Sequence, residues 1–478
     1  MTARAPLDAA RDVLGGHEAW IVGGAVRDRL LGRATTDLDL AVKEDPKEAA
    51  RALARATGGS PFRLSGAFGA WRVVGPAQSW HVDLVVLRDG DIDADLAARD
   101  FTLNAMAEPL AGGELLDPHG GRADLEARRL RMVSPRALAD DPLRTLRAVR
   151  LTIELDLTIE PETAAAIGRE APGLERVAAE RIFGELKQVI RSPAVRTGLQ
   201  LMDAHGITAQ VLPELQALHG VEQNVFHHLD VYDHTLEVLD QVAAIERAPH
   251  GAGFGEHSDA VAELLREPLA DELTRGDSMR IAALLHDAAK PSTQMRRPDG
   301  RLGFPGHDRA GADIARTVLR RLRASEKLVD HVAALCLHHL RLGFLVHERP
   351  LDRRAVWRYL QATEPHAAEV TIFTVADRLA TRGRNAEPAI GAHLELAREL
   401  LGAALARRTE GRRPPLVRGD ELARVLGLAP GPRLGELLAQ LEEDRFAGAI
   451  ATREDALRRA RELTAKSARP PGTRRRSP

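Results

Sequence analysis

Two acidic residues one position apart, Asp37 and Asp39, sit in the run Asp37–Val42, which alternates polar and apolar residues at the strand period. Side chains at i and i+2 of a strand point to the same face, so both carboxylates can converge on one hard cation such as Mg²⁺. Burying that pair without a cation would be costly. Upstream, Gly23-Gly24 ends the run Trp20-Ile21-Val22 and opens a helix expected from about Ala25 to Leu31, which carries Arg27 and Asp28. Bare backbone N–H groups beside a guanidinium suit a triphosphate. Asp83 lies in the apolar run His81–Val86 and is a third candidate metal carboxylate, because a charge there has little purpose unless it faces a metal. The chemistry these residues allow is metal-dependent transfer at a phosphate.

A second group lies much further along the chain. The apolar segment Arg280–Leu285 ends in His286-Asp287, shortly before Pro291, a placement that suits two ligands at a helix end. His234, His307 after Gly306, His338 or His339, and Asp377 supply further nitrogen and oxygen donors. Of the 18 histidines, 12 lie between His219 and His347, which suggests a separate metal-binding module.

Positioning two such sites takes more than one domain. The chain has 478 residues, which at roughly 100–200 residues per domain gives two to four. Residues 1 to about 130 alternate β-type runs with helices and Gly-rich turns, with further strands expected near Ala70–Val74 and His81–Leu87. From about Pro135 onward apolar residues recur at helical spacing, as in Leu143, Leu146 and Val149, or Ile182, Leu186, Val189 and Ile190. Aromatics make up only 3% of the chain, so its cores must be mostly Leu, Ala and Val. A net charge of −2 gives no global positive field, and any nucleic-acid surface must be local. No continuous run of about 18 apolar residues argues for a membrane span. Cys336 stands alone, and Met1–Leu30 lacks the pattern of a secretion signal, so a cytoplasmic location is expected. Residues 248–277, Gly-rich and acidic, read as a long insertion. Ala465–Pro478, with five basic residues, three prolines and no acid, reads as a disordered tail.

The segment Gly23–Asp28 followed by Asp37 and Asp39, then Arg99–Met106, Asp117–Leu125, Asp140–Arg150 and Glu180–Leu186, resembles the ordered motifs of the class II tRNA nucleotidyltransferase and poly(A) polymerase family. The resemblance implies that Asp37 and Asp39 bind Mg²⁺, which aligns a primer 3′-hydroxyl with the α-phosphate of CTP or ATP, with Asp83 as a further ligand. It places Gly23, Gly24, Arg27 and Arg99 at the triphosphate, and Asp100 and Asn104 on the ribose side. Asp117–Leu125 looks like the family's mobile loop. Asp141 and Arg144, three apart, are expected on one helix face. They would offer an acceptor and a donor to cytosine and adenine, which both carry an exocyclic amine next to a ring acceptor. Arg147 and Arg150 extend that stripe, while Glu180, Arg181 and Glu185 are expected to fix the neighbouring helix terminus. His234, His286, Asp287 and Asp377, with His307, His338 and His339 as further candidates, resemble the ligands of the HD phosphohydrolase superfamily. These imply a divalent transition metal (Mn, Ni or Zn) and action on RNA ends or nucleotides.

The fold implied is an α+β nucleotidyltransferase head with a small mixed sheet (1–134), followed by an all-α neck (135–215), an HD domain (216–384), a C-terminal helical region (385–464) and the tail. The expected activity is addition of C and A to tRNA 3′ ends. A poly(A) polymerase is the alternative, although Ser65–Gly69 lacks the basic patch such enzymes carry after the Asp-x-Asp strand. A third reading is a phosphohydrolase with a degenerate transferase head, against which the intact Asp37, Asp39, Asp141 and Arg144 speak.

Overall fold

The computed structural model describes residues 6–33, 37–65, 69–224, 228–383, 386–411 and 414–467, and its contacts divide the chain after Pro213 into two units. The N-terminal unit begins with α1 (Pro6–Leu14), β1 (Ala19–Val22), α2 (Gly24–Leu30), β2 (Asp37–Val42), α3 (Pro46–Thr57), β3 (Ser60–Ser65), β4 (Ala70–Val74), β5 (His81–Val86), α4 (Ile92–Ala97), β6 (Ala107–Pro109) and α5 (Gly121–Glu126). Its strands form one mixed sheet in the order β3-β4-β5-β2-β1-β6. β2 and β5 run parallel, and the other neighbours are antiparallel.

Alternation along the strands decides what each face carries. Leu38, Leu40 and Val42 of β2 and Val82 and Leu84 of β5 pack with Ala10 and Leu14 of α1 and Ala50 and Leu53 of α3 in the main core. Asp37, Asp39 and Asp83 therefore look to the opposite face, where Val22, Ala41, Leu96 and Ala107 form a smaller apolar cluster. α3 is held in place at both ends: the Asp45 carboxylate caps Lys47 N–H, Pro46 opens the first turn, and Gly58 closes the helix at φ 70°. β3 was not anticipated, because Pro61 and its polar composition hide it. It is an edge strand, where a proline costs no ladder bond. Within Ser65–Gly69, the stretch read for a missing basic patch, residues 66–68 lie outside the described residues.

Asp117–Leu125, expected as a mobile loop, forms a hydrogen-bonded turn and helix. Asp117 accepts from the N–H groups of Gly121 and Arg122 at 2.6 and 2.9 Å, and buried Asp124 accepts from the Thr102 hydroxyl and the Arg131 guanidinium. After it the unit is helical, through Leu143–Leu155, Pro161–Glu170, Ala179–Arg191 and Val195–Ala204.

The C-terminal unit packs the helices Val231–Arg247, Arg275–Leu285, His307–Arg321, Glu326–His338, Ala367–Ala380 and Ala386–Glu410 around a shared interior. Residues 248–277 are not an appended insertion. They fold into short helical turns, the Ser258–Arg266 helix, a two-stranded hairpin and the first turn of Arg275–Leu285, and they bury Phe254, Val261, Leu264 and Leu273. Among the described residues, Glu326–Glu348 alone has the length and mean hydropathy to cross a membrane. Here it breaks after His338, and its first helix packs against His307–Arg321, Arg275–Leu285 and Ala367–Ala380. The helices Gly419–Leu426, Pro432–Phe446 and Arg453–Ser467 close a further small core around Leu422, Leu437 and Ala456. The last helix thus runs three residues into the expected tail, and residues 468–478 lie outside the described residues.

Gly121 is the tightest position beneath the sheet: a Cβ there would stand 2.1 Å from the Thr102 carbonyl oxygen. Gly121→Ala is expected to destabilise the N-terminal unit by about 1–3 kcal/mol through forced backbone displacement. Gly168→Ala, in a helix where a Cβ meets nothing within 4 Å, should be neutral or stabilising. Urea unfolding of both variants checks the contrast.

Candidate active site and metal centre

A cleft of about 610 Å³ in the N-terminal unit is walled by Gly23, Gly24, Arg27, Asp37, Asp39, Arg99, Asp100, Asn104, Arg144, Arg147 and Arg150. The residues singled out in the sequence thus meet on one surface, apart from Asp83 and Asp141. Gly23 has φ 69°, and a Cβ on it would lie 2.7 Å from the Arg99 guanidinium and 3.5 Å from Asp39, so the turn admits both groups only because it is glycine.

Asp39 faces Asp83 across the parallel pair β2/β5. Burial, together with Asp83 and Asp37, pushes the Asp39 carboxyl up to about 6, against the pull of Arg99 and Arg72. Asp37 is exposed and lies 3.1 Å from His81 Nδ1. A divalent cation between Asp37 and Asp39 would relieve this repulsion, so the donor set fits a hard metal ion. Asp83 stands on the same face, but both its oxygens accept from Arg72, at 2.6 and 2.7 Å. Sequence reasoning missed Arg72. Its signal was a lone charge in the apolar run Ala70-Trp71-Arg72-Val73-Val74, the same signal that drew attention to Asp83.

The far wall is a chain of alternating charge. Arg27 pairs with Asp28 at 2.8 Å and donates to Asn104 Oδ1, also at 2.8 Å. Asn104 donates to Asp100, and Arg147 bridges Asp100 and Glu185 at 3.1 and 2.9 Å. Arg150 donates to Glu185 at 2.6 Å and to Glu154 at 2.9 Å. Burial raises Asp100, yet Arg147 and Asn104 hold it below the ordinary carboxylate range. The carboxylates of Asp100 and Glu185 in turn raise Arg147 above its usual value despite burial. Glu185 therefore does not finish a helix end. It sits inside the Ala179–Arg191 helix and orients two arginines of the cleft.

Asp141 and Arg144 do not share a helix face. Asp141 precedes Pro142, which disfavours the helical backbone for the residue before it, and it is extended (φ −146°, ψ 97°) while the helix starts at Leu143. Its carboxylate accepts from Arg181 at 2.7 Å, and Arg144 donates to the carbonyls of Ala98, Arg99 and Ala137. Arg99 pairs with Asp95 at 2.9 Å.

In the C-terminal unit two trios, buried apart from the partly exposed Asp377, bring ligand atoms within 4.8 Å of one another: His234, His286 and Asp377, and Asp287, His307 and His339. Asp287 lies between them. Its Oδ2 is 3.1 Å from His286 Nε2, and its Oδ1 is 3.5 Å from His307 Nε2 and 3.9 Å from His339 Nε2. The four ligands expected from sequence lie together, since Asp287 Oδ2 is also 3.8 Å from His234 Nε2, which is 3.2 Å from Asp377; His307 and His339 stand on the Oδ1 side, and His338 is in neither trio. The Nδ1 atoms of His286, His307 and His339 meet the carbonyls of Ala283, Phe304 and Cys336 at 2.9, 2.6 and 2.6 Å. A carbonyl only accepts, so each Nδ1 carries a proton and each Nε2 is the nitrogen turned inward. His286 Nε2 and both Asp287 oxygens are buried without a well-aligned hydrogen-bond partner among the described residues, as metal ligands would be. Burial raises Asp287 and Asp377. His286 and Lys290 nevertheless hold the first well below the carboxylate range, and His234 does so for the second. Lys290, 2.6 Å from Asp287, was not foreseen.

Comparison with known proteins finds related families along the chain. Residues 19–131 match the poly A polymerase head domain family, residues 156–218 the probable RNA and SrmB-binding site of polymerase A, and residues 254–382 the HD domain family. An A-adding tRNA nucleotidyltransferase of Deinococcus radiodurans is 38% identical over 92% of this chain and 94% of its own. A CC-adding tRNA nucleotidyltransferase of Thermus thermophilus is 34% identical over 92% of each. Among solved structures, a CCA-adding enzyme in complex with ATP shares the fold at a TM-score of 0.61 and 20% identity, over 96% of this chain and 94% of that one. With the head, the RNA-binding helices and the HD module present in that order, the chain belongs to the tRNA nucleotidyltransferase and poly(A) polymerase family.

Proposed function

We propose that this protein is a cytoplasmic tRNA nucleotidyltransferase that adds C or A nucleotides to tRNA 3′ ends from CTP and ATP without a template. The observation that carries the reading is the single cleft in which paired carboxylates, a glycine turn and six arginines meet. Mg²⁺ held between Asp37 and Asp39 would supply Lewis-acid activation of the 3′-hydroxyl and the α-phosphate. Arg27, Arg99 and the Gly23-Gly24 backbone hold the triphosphate, so that pyrophosphate leaves in line with the attacking oxygen. Asp100 and Asn104 lie on the ribose side, and Arg72 keeps Asp83 beside the pair as a fixed negative charge. Asp141, once Arg181 yields it, and Arg144 meet the base edge, while Arg147 and Arg150 contact base or phosphate. The named relatives include A-adding and CC-adding enzymes, and neither specificity is assigned to this chain. The deciding experiment offers single nucleotides to tRNA transcripts ending before the first C, the second C and the terminal A, and sequences the products.

A second activity is favoured by the two trios around Asp287. A carboxylate shared between two ligand sets suits a pair of divalent transition metals, Mn, Ni or Zn, which would polarise a phosphate ester and a water. His307 and His339 on one side, and His234, His286 and Asp377 on the other, fix the ester's place between them. The substrate class is a phosphomonoester or cyclic phosphodiester on an RNA end or nucleotide.

Asp39→Asn is expected to lower nucleotide addition by about 10³-fold without loss of fold. The sign follows from its raised pKa: above about pH 6 the parent carries a buried carboxylate that the fold disfavours. The metal-free parent should therefore lose stability as pH rises from about 4 to about 6, and the Asn variant should not. Melting curves in chelator across that range check it.

Asp141→Ala should change which nucleotides are accepted more than it changes metal dependence. Loss of a charged hydrogen bond, about 1.5–3 kcal/mol, predicts ten- to hundredfold weaker discrimination against UTP and GTP. A competition assay with all four nucleotides measures it, and unchanged selectivity removes the base-reading role.

Replacing His286 and Asp287 together by Ala should abolish Mn²⁺-, Ni²⁺- or Zn²⁺-dependent phosphohydrolysis and leave nucleotide addition nearly unchanged, since the two ligand sets lie in separate units. Loss of addition in a folded, tRNA-binding double variant would contradict the two-site reading.

A further inference from the structure

Among the described residues, one cluster of metal-ligand side chains belongs to neither site. His331, His366 and Glu369 bring three ligand atoms within 4.8 Å of one another. They come from the Glu326–His338 helix, the residue before the Ala367–Ala380 helix, and that helix itself. His331 and Glu369 are 0% and 1% exposed.

The cluster lacks hydrogen-bond partners. Ser278 Oγ lies 3.0 Å from the Arg275 carbonyl and 2.7 Å from His331 Nδ1, so it fixes the His331 ring with Nε2 turned into the cluster. Among the described residues, that Nε2, Nδ1 of His366 and Oε2 of Glu369 are all buried with no hydrogen-bond partner. Glu369 Oε1, 3.7 Å from the same Nε2, is taken by Arg275. Buried polar atoms that converge without hydrogen-bond partners are costly, and a cation removes the cost.

We propose that His331, His366 and Glu369 form a third metal centre that takes one divalent transition ion, such as Zn²⁺, with its remaining position left to water. Ser278 holds the His331 ring and Arg275 holds the Glu369 carboxylate, as outer partners do for ligands of this kind. Its place in the bundle suggests its purpose. Ser278, His331 and Glu369 each precede, by eight residues, His286, His339 and Asp377 of the two trios. Eight residues is about two helical turns, or 12 Å. An ion here would tie the same three segments together two turns from the ligands that surround Asp287, and so act as a structural anchor.

The test strips the full chain with chelator, reloads it with Zn²⁺ alone, removes the excess and counts metal by mass spectrometry. His366 is only partly buried, so His366→Asn should fold. It is expected to hold one equivalent less than the parent, and to lose most of the rise in melting temperature that Zn²⁺ gives. Glu369→Gln, which keeps the shape, should lose the same equivalent. A second readout uses Co²⁺ in the His286→Ala, Asp287→Ala chain, which should still bind one ion with a visible tetrahedral-type band that His366→Asn removes. Equal metal content in parent and His366→Asn overturns the proposal. So does a parent that binds no metal, since His331 and Glu369 would then share a proton instead.

Discussion

Asp39 and Asp83 stand opposite each other on neighbouring parallel strands, and the charged groups of the transferase cleft are arranged around that repulsion. Two like charges on adjacent positions of a half-buried sheet face are tolerable only if each is answered. Asp83 is answered by Arg72 from within the sheet, through two short hydrogen bonds. Asp39 has only the more distant Arg99 and Arg72, which do not overcome burial and the neighbouring acids. The sheet thus neutralises one carboxylate and leaves the other in want of a cation. That asymmetry distinguishes two carboxylates that share one face.

The opposite wall solves the converse problem, which is to keep several arginines close together without their repelling one another. Asp28, Asp100, Glu185 and Glu154 alternate with Arg27, Arg147 and Arg150, and Asn104 links the first pair to the second. Each guanidinium keeps its charge and loses its freedom, an arrangement that would leave little ordering to be done on binding an anionic ligand. Glu185 matters most in this array because it is shared by two arginines one helical turn apart.

The ligands were legible in the sequence where a short-range rule applied. Asp37 and Asp39 obey the strand period, and His286-Asp287 ends an apolar helix. What stayed hidden was the choice of partners. Asp83 meets Arg72 from 11 positions away, Arg147 meets Glu185 from 38, and Asp141 meets Arg181 from 40. Which charge finds which is decided by packing of distant elements, and no periodicity records it. The misplaced Asp141 is different in kind. Pro142 follows it directly, and the restriction a proline places on its predecessor would have put Asp141 outside the helix. The sharing of Asp287 between His286 on one side and His307 and His339 on the other belongs with the hidden features, since it depends on how five helices cross.

The two sites also differ in what holds their donors. The transferase carboxylates ride on a strand and are oriented by side-chain charge, which suits a hard ion that accepts oxygen from many directions. In the helical unit, His286, His307 and His339 each lean back on the carbonyl three residues earlier. That contact ties ring orientation and tautomer to the local backbone, so a nitrogen lone pair is aimed by the helix end itself. Imidazole binds along one direction only, and a site built from it needs that rigidity more than a carboxylate site does. Because each carbonyl belongs to the same short segment as the ring it holds, the aim of each ring is a local property of its segment, and packing of the helices supplies only the meeting of the donors.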